Sequence, residues 1–336
     1  MARIKYLLVR ILKMDYKQLF QTVRVCKKRS GKNSVWLFFD IIRCGFKYGA
    51  GHSDYRLCAF YDLTPAQRAT YVTRGVNNRL VRLLNDKEAC AQLEDKTRFN
   101  RMFEAQLGRG WLDLSECPYE DFAAFMQPRG VIIAKPVSAT CGVGVRKLRK
   151  SDYADLRAMY DSLREAGSTL VEDYIVQHEA LSKLYPHSVN TLRIVTVLAE
   201  GRPNVVYSYI RLGNGGRVVD NINAGGMTAP VDLETGEIKY AAFDKDSVYY
   251  ETHPETGEKI SGFKIPFWKE SLALCEEAAA KVPGVGYVGW DVAVTGSGPV
   301  LIEANHFPGH DFLQMPPHVP DKIGMLPRFR EFVKGI

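Results

Sequence analysis

Near the start of the chain apolar residues recur at spacings of three and four, so that Leu8, Leu12, Tyr16, Leu19, Val23 and Cys26 would share one face of a helix. Arg10, Lys13, Lys17, Arg24 and Lys28 form a basic stripe elsewhere on that helix. From residue 35 to 85 the period stays helical, first in Trp36, Phe39, Ile42 and Phe46, then after Thr64-Pro65, which reads as an N-cap followed by proline in the first turn. Three glycines between residues 45 and 54 predict a turn. After residue 95 the texture changes to short β-branched runs at 131–134, 170–175, 192–198, 205–210, 287–294 and 300–304, punctuated by glycine. Stretches 151–166 and 267–281 predict helices between strands. The pattern implies an α-helical region over residues 1–94 and an α+β domain of mixed or antiparallel sheets over 95–336.

Charge sharpens the first of these. The net charge is +7, yet residues 1–50 alone hold twelve Lys and Arg against Asp15 and Asp40, so the rest of the chain is slightly acidic. An amphipathic basic helix can lie on an anionic membrane or touch an acidic partner; the plainer reading packs it on its own domain with a solvated face. Nucleic acid is not expected, for want of any recognisable binding motif. With 46% hydrophobic and 25% charged residues the chain has the make-up of a folded protein. It offers no uninterrupted apolar run for a signal peptide or a membrane span. Seven cysteines, odd in number and never in a Cys-x-x-Cys pair, read as reduced thiols in the cytoplasm.

The densest chemistry lies near the C-terminal end. Asp291 and Glu303 fall on two apolar strands joined by Gly296-Ser297-Gly298, and Asn305, two residues after Glu303, faces the same side of its strand. Two carboxylates and an amide oxygen brought together this way suit a hard divalent cation, Mg²⁺ or Mn²⁺, which also holds phosphates. A second signal is a strand ending at Lys135 followed by a small-residue loop with Ser138, Thr140, Gly142 and Gly144. Backbone N–H groups and hydroxyls of such a loop can close over phosphate, although the lysine precedes the glycines and no Walker motif results.

In this order the segments resemble the ATP-grasp superfamily, from about Asp95 to Phe312. Its fold is two α+β subdomains clasping ATP, here 95–175 and 176–336, preceded by the helical region. Lys96 and Lys135 resemble the two nucleotide-binding lysines, and the run from Leu170 to Ile175 resembles the hinge. The resemblance implies that Glu172 and the Asp173 carbonyl accept from the adenine amino group while the Ile175 N–H donates to the ring. It makes Asp291, Glu303 and Asn305 the metal ligands, leaves the ribose contact among Glu179, Asn190 and Thr191, and makes Asn221 a phosphate contact. Stretches around residue 50, His178–Leu181, Ser188–Thr196, Asp220–Gly226 and His253–Gly257 are similar to the sugar-transfer-associated, alpha-L-glutamate-ligase-related group.

That resemblance implies a cytoplasmic ATP-dependent ligase that activates a carboxylate as an acyl phosphate and joins it to an amine. A sugar acid, amino sugar or amino acid of polysaccharide biosynthesis would be the substrate, with a peripheral contact to anionic membrane or a lipid-linked sugar left open. Arg193, in an otherwise apolar strand, and Arg211 could neutralise phosphate or hold the carboxylate, against the alternative of half-exposed strand arginines. His253 reads as part of a turn, His306 and His310 as loop residues near the metal strand, and Cys141 as a small lid residue. The rival readings are a small-molecule kinase on the same fold and a non-catalytic nucleotide-binding, membrane-associated component. No pattern speaks to an oligomeric state.

Overall fold

The computed structural model describes residues 15–137 and 144–336. Leu8, Arg10, Leu12 and Lys13 of the predicted stripes, and Ser138, Thr140, Cys141 and Gly142 of the predicted phosphate loop, lie outside the described residues. The chain divides into two compact units, residues 1–80 with 309–336, and residues 81–308. The division falls earlier than the 94/95 boundary expected from pattern. Cys90 and Leu93 are buried in the core of the second unit, and the Asn85 side chain bonds the Tyr287 backbone in both directions, at 2.9 and 2.8 Å.

The first unit is helical. Asp15 caps the helix Tyr16–Ser30 by accepting from the Gln18 N–H, Gly31 ends it at a φ of 70°, and the Asn33 side chain caps Ser34–Tyr48. A left-handed residue that only glycine adopts cheaply, two residues before a strong N-cap, thus writes the reversal between two helices into the sequence. Thr64 and Gln67 form the expected capping box around Pro65. Leu19, Val23 and Cys26 pack against Leu37, Ile41, Cys44, Tyr55 and Phe60, so this part of the predicted stripe faces its own unit. The polar centre of the unit is Asp40, which takes both terminal nitrogens of Arg68 at 2.8 Å and the Tyr55 hydroxyl at 2.8 Å. Gln314, fully buried, joins the C-terminal segment to it through both Val72 backbone groups at 2.8 Å, the Met325 N–H and the His310 carbonyl.

The second unit holds two sheets in which every pair is antiparallel. The strands β1 (Trp111–Asp113), β2 (Val131–Lys135), β3 (Arg146–Arg149) and β4 (Leu170–Asp173) form one, in the order β1-β4-β2-β3. The other contains β5 (Leu192–Ala199), β6 (Arg202–Leu212), β7 (Met227–Val231), β8 (Ala242–Phe243), β9 (Tyr249–Tyr250), β10 (Tyr287–Thr295) and β11 (Gly298–Asn305), in the order β11-β10-β5-β6-β7-β8-β9. Helices Tyr119–Met126 and Leu156–Glu165 cover the four-stranded sheet through Phe122, Met126, Met159 and Leu163. Trp268–Ala280 covers the larger sheet with Cys275 and Ala278. The helix predicted over 151–166 begins only at Leu156, because the Asp155 side chain accepts from the Ala158 N–H and sets the N-terminus there. His253 does lie at a turn; it is fully buried, its Nε2 lies 2.9 Å from the Gly213 carbonyl, and its ring stacks on Tyr185. Among the described residues no helix is long and apolar enough to cross a membrane.

Asp40 and Arg68 are each about 6% exposed, so removing one partner strands the other charge out of water. Asp40→Ala is expected to cost about 3–5 kcal/mol in urea unfolding, and Asp40→Leu combined with Arg68→Met clearly less than that. A double variant as unstable as the single one would show that the pair contributes more than mutual compensation.

Candidate active site

Between the two sheets of the second unit lies a cavity of about 1100 Å³, counted out to its open mouth. One wall comes from Lys96, Ile133, Lys135 and the residues 172–175; the other from Thr191, Arg211, Asp220, Asn221, Asp291 and Glu303.

At one end of the cavity, strand register builds a row of charges. β10 lies between β5 and β11, and Asp291 is directly opposite Arg193 on one side and Glu303 on the other. Ladder neighbours stand about 5 Å apart, so these side chains meet. Asp291 pairs with both Arg193 and Arg211. Gly289 makes room for this: a Cβ there would lie 2.9 Å from Arg193 Cδ. Burial alone would raise the Asp291 carboxyl, but Arg193 and then Arg211 overcome it and hold it at about 2. Glu303 goes the other way, raised first by burial and then by the neighbouring Asp291 charge. Two carboxyl groups in contact oppose each other's ionisation, and here the arginines favour Asp291 while Glu303 is the one pushed up. Asp220, missed by the sequence reading, braces the wall: it accepts from the Thr191 N–H at 2.9 Å and from its hydroxyl, and lies 3.8 Å from Arg211.

At the opposite wall, Glu172 is surrounded by donors. Lys135 Nζ is 2.8 Å from Oε2 and Arg109 Nε 3.1 Å from it, while Asn100 Nδ2 is 2.9 Å from Oε1 and Arg109 Nη2 3.3 Å. Burial would push this carboxyl up; Lys135 and then Arg109 hold it well below the usual carboxylate range. Glu172 is thus a counter-ion for Lys135 and Arg109. Lys96 donates to the Val137 carbonyl at 3.2 Å, and burial lowers its pKa. The Asp173 side chain turns away to Arg129 and the Gly110 N–H, and Tyr174 and Ile175 line the cavity just past the end of β4.

Of the residues singled out from sequence, Lys96, Lys135, Glu172, Asp173, Ile175, Thr191, Arg211, Asn221, Asp291 and Glu303 therefore line one cavity, with Arg193 buried behind Asp291. Others are placed elsewhere. The Glu179 side chain is 83% exposed and pairs with Lys183 along its own helix. Asn190, fully buried, spends its amide on Gln177, Leu181, Tyr185 and Gly213, so of the three ribose candidates only Thr191 lines the cavity. Asn305 accepts from the Phe307 N–H at 2.8 Å, opposite Gly289. His306 lies 2.8 Å from Glu94, and His310 bonds Asp54 in the first unit. Arg109 and Asn100 had no sequence signal, since neither stands in a motif.

The facing pair Asp291 and Glu303 has the oxygen chemistry of a Mg²⁺ or Mn²⁺ site. Among the described residues no three His, Cys, Asp or Glu side chains form a metal cluster, so such an ion would take its further oxygens from Asn305, phosphate or water.

The family described as sugar-transfer associated ATP-grasp matches residues 68–330. No curated protein sequence matches the chain. Among solved structures, the ATP-grasp ligase PsnB complexed with a minimal precursor is similar at 15% identity and a TM-score of 0.41, over 73% of this chain; the chain spans 64% of that one. The D-alanine–D-alanine ligase of Bacillus anthracis is similar at 17% identity and a TM-score of 0.41, over 76% of this chain and 74% of that one. The ADP complex of purK, an N5-carboxyaminoimidazole ribonucleotide synthetase, is similar at 9% identity and a TM-score of 0.40, over 66% and 46%.

Because the folded state lowers the Glu172 pKa, its contribution to stability is complete at neutral pH and is lost as pH falls below its ordinary value of 4.5. Glu172→Gln is expected to cost about 3–5 kcal/mol at pH 7 and to flatten the acid side of the stability profile. Urea unfolding at stepped pH measures both, and an unchanged acid slope would show that Glu172 is not held ionised by Lys135 and Arg109.

Proposed function

Since the chain belongs to the sugar-transfer-associated ATP-grasp family, we propose that this cavity binds ATP with a divalent cation and uses it to join a carboxylate to an amine. The observation that carries the reading is the convergence on one cavity of two lysines, Lys96 and Lys135, with the facing acids Asp291 and Glu303 and the arginine Arg211. Asp291, Glu303 and Asn305 would hold Mg²⁺, which when bound neutralises phosphate charge and orients the terminal phosphate for transfer. Ile133, Ile175, Val189 and Ile302 offer the apolar slot an adenine ring needs. The Asp173 carbonyl and the Ile175 N–H supply its polar edge, Thr191 a ribose contact, and Asn221 a phosphate contact. Lys96 and Lys135 offset phosphate charge from the side of the four-stranded sheet.

Arg193 and Arg211 hold Asp291 ionised and give a substrate carboxylate a cationic wall to rest on. The carboxylate oxygen attacks the γ-phosphorus and ADP leaves; the amine nitrogen then attacks the acyl carbon, phosphate leaves, and the nitrogen gives up a proton. Ser138, Thr140 and Gly142 would belong to a lid that keeps water from the acyl phosphate. The carboxylate or amine would be borne by a sugar acid, an amino sugar or an amino acid; the family's description supports the sugar-transfer association and no more. If that acceptor is lipid-linked, the chain works on the cytoplasmic side, beside an anionic membrane face.

Glu303→Gln with Asn305→Ala is expected to lower ATP turnover at least about 100-fold, as loss of transition-state charge stabilisation does, with the urea midpoint little changed. Lys135→Ala should abolish most of the rise in melting temperature that MgATP causes in the parent protein. Phosphate release screened over carboxylate and amine pairs, with mass spectrometry of the product, checks the chemistry: an amide supports the ligase, and a phosphorylated alcohol would replace it with a kinase.

A further inference from the structure

The helix Ser34–Tyr48 has apolar residues on two faces, one of them turned away from its own core. Leu37, Ile41 and Cys44 are buried, whereas Val35, Trp36 and Phe39 are 64%, 45% and 64% exposed. Phe20 on the preceding helix, 58% exposed, joins them: its ring stacks on Phe38 at 5.8 Å, and Phe38 meets Phe39 edge-on at 5.4 Å. A contiguous patch of this kind, unlike a scattering of single apolar residues, marks a surface that something covers. This is not the stripe that the amphipathic pattern predicts, since Leu19, Val23 and Cys26 are buried.

The surroundings of the patch are cationic. Lys17, Arg24 and Lys27 are exposed along the turns that flank Phe20, and Arg43 and Lys47 follow Phe39 by one and two turns. Lys32 Nζ also sits 5.1 Å from the Trp36 ring centroid, although its charge is shared with Asp62 at 3.5 Å. The one acid from residue 16 to 48, Asp40, is turned inward onto Arg68, so no carboxylate on these two helices offsets the positive field.

We propose that this aromatic, cationic face seats the chain on an anionic lipid bilayer. Phe20, Trp36 and Phe39 enter the headgroup layer, where Trp and Phe side chains partition well, while the lysines and arginines meet lipid phosphates. A second copy of the chain fits less well, because a two-fold contact through this patch would press two cationic rims together. A nucleic acid would engage the cations yet give Val35 and Phe39 no apolar partner. The proposal deepens the membrane contact suggested above and rests on the surface alone, so it stands or falls separately from the ligase chemistry.

Co-sedimentation of the full chain with vesicles of phosphatidylcholine alone, and of phosphatidylcholine with phosphatidylglycerol at about 7:3, tests it. Binding is expected to the anionic vesicles only and to weaken in high salt. Phe39→Ser with Val35→Ser should weaken it about tenfold or more, and Arg43→Glu, which reverses one charge and leaves the aromatic patch intact, should weaken it separately. Unchanged melting temperatures show that these variants are folded; where one is not, the other decides. Trp36 should move the emission to shorter wavelength on anionic vesicles, a shift that Trp36→Phe removes. Equal binding to both vesicle types, full binding by folded variants, self-association abolished by the same substitutions in place of vesicle binding, or capture of duplex DNA but not vesicles would each overturn it.

Discussion

Lys135 and Arg109 are both buried, and one carboxylate lies between them. Glu172 accepts from both, and Arg109 also reaches past it to the backbone carbonyl of Ile302 at 3.4 Å. That guanidinium thereby bonds β4 and the strand that carries Glu303. The planar, five-donor shape of arginine allows this where a lysine would offer a single point charge. Asn100 completes the set from the short helix Lys96–Met102, whose first residue is the other cavity lysine. The strand β4, the lysines and the acid strand are held in one frame by a group that the chemistry itself need not consume.

The opposite wall follows a different logic. A ladder position places Arg193, Asp291 and Glu303 side by side, and no rearrangement short of a register slip would separate them. Arg193 and Arg211 hold the Asp291 carboxyl low, whereas burial and the Asp291 charge push Glu303 up. A divalent cation held by the pair would favour the ionised form of both carboxyl groups. Such a site is costly to bury without its ligands and favours the arrival of both phosphate and metal.

The helical unit shows the same economy on a smaller scale. Asp40 is withdrawn from the surface to hold Arg68 and Tyr55, which stabilises the interior and leaves the outer face of two helices without an acid. One buried carboxylate thus serves the packing of the unit and the sign of its surface together.

The local elements were legible in the sequence because their causes are local. Asp15, Gly31, Asn33 and Thr64 set helix ends by their own backbone and side-chain bonds, and the turn at Gly296-Ser297-Gly298 pairs the two acid-bearing strands, although it takes a register shift between Asp291 and Val292 to set Asp291 opposite Glu303. Lys96, Lys135, Asp291 and Glu303 stood in motifs whose spacing carries their chemistry, and they meet in one cavity. Residues far apart in the chain were another matter. Arg109 and Asn100 reach Glu172 from 63 and 72 positions away, Asp220 reaches Thr191 across 29, and Glu179 stays in solvent. Which face of Ser34–Tyr48 is buried was equally hidden, since a helical period names a stripe but not the neighbour it meets. Local bonding and periodicity belong to the sequence; the pairing of distant charges and the choice of buried face came only with the tertiary structure, because burial is what makes an unpaired charge expensive and a contact worth keeping.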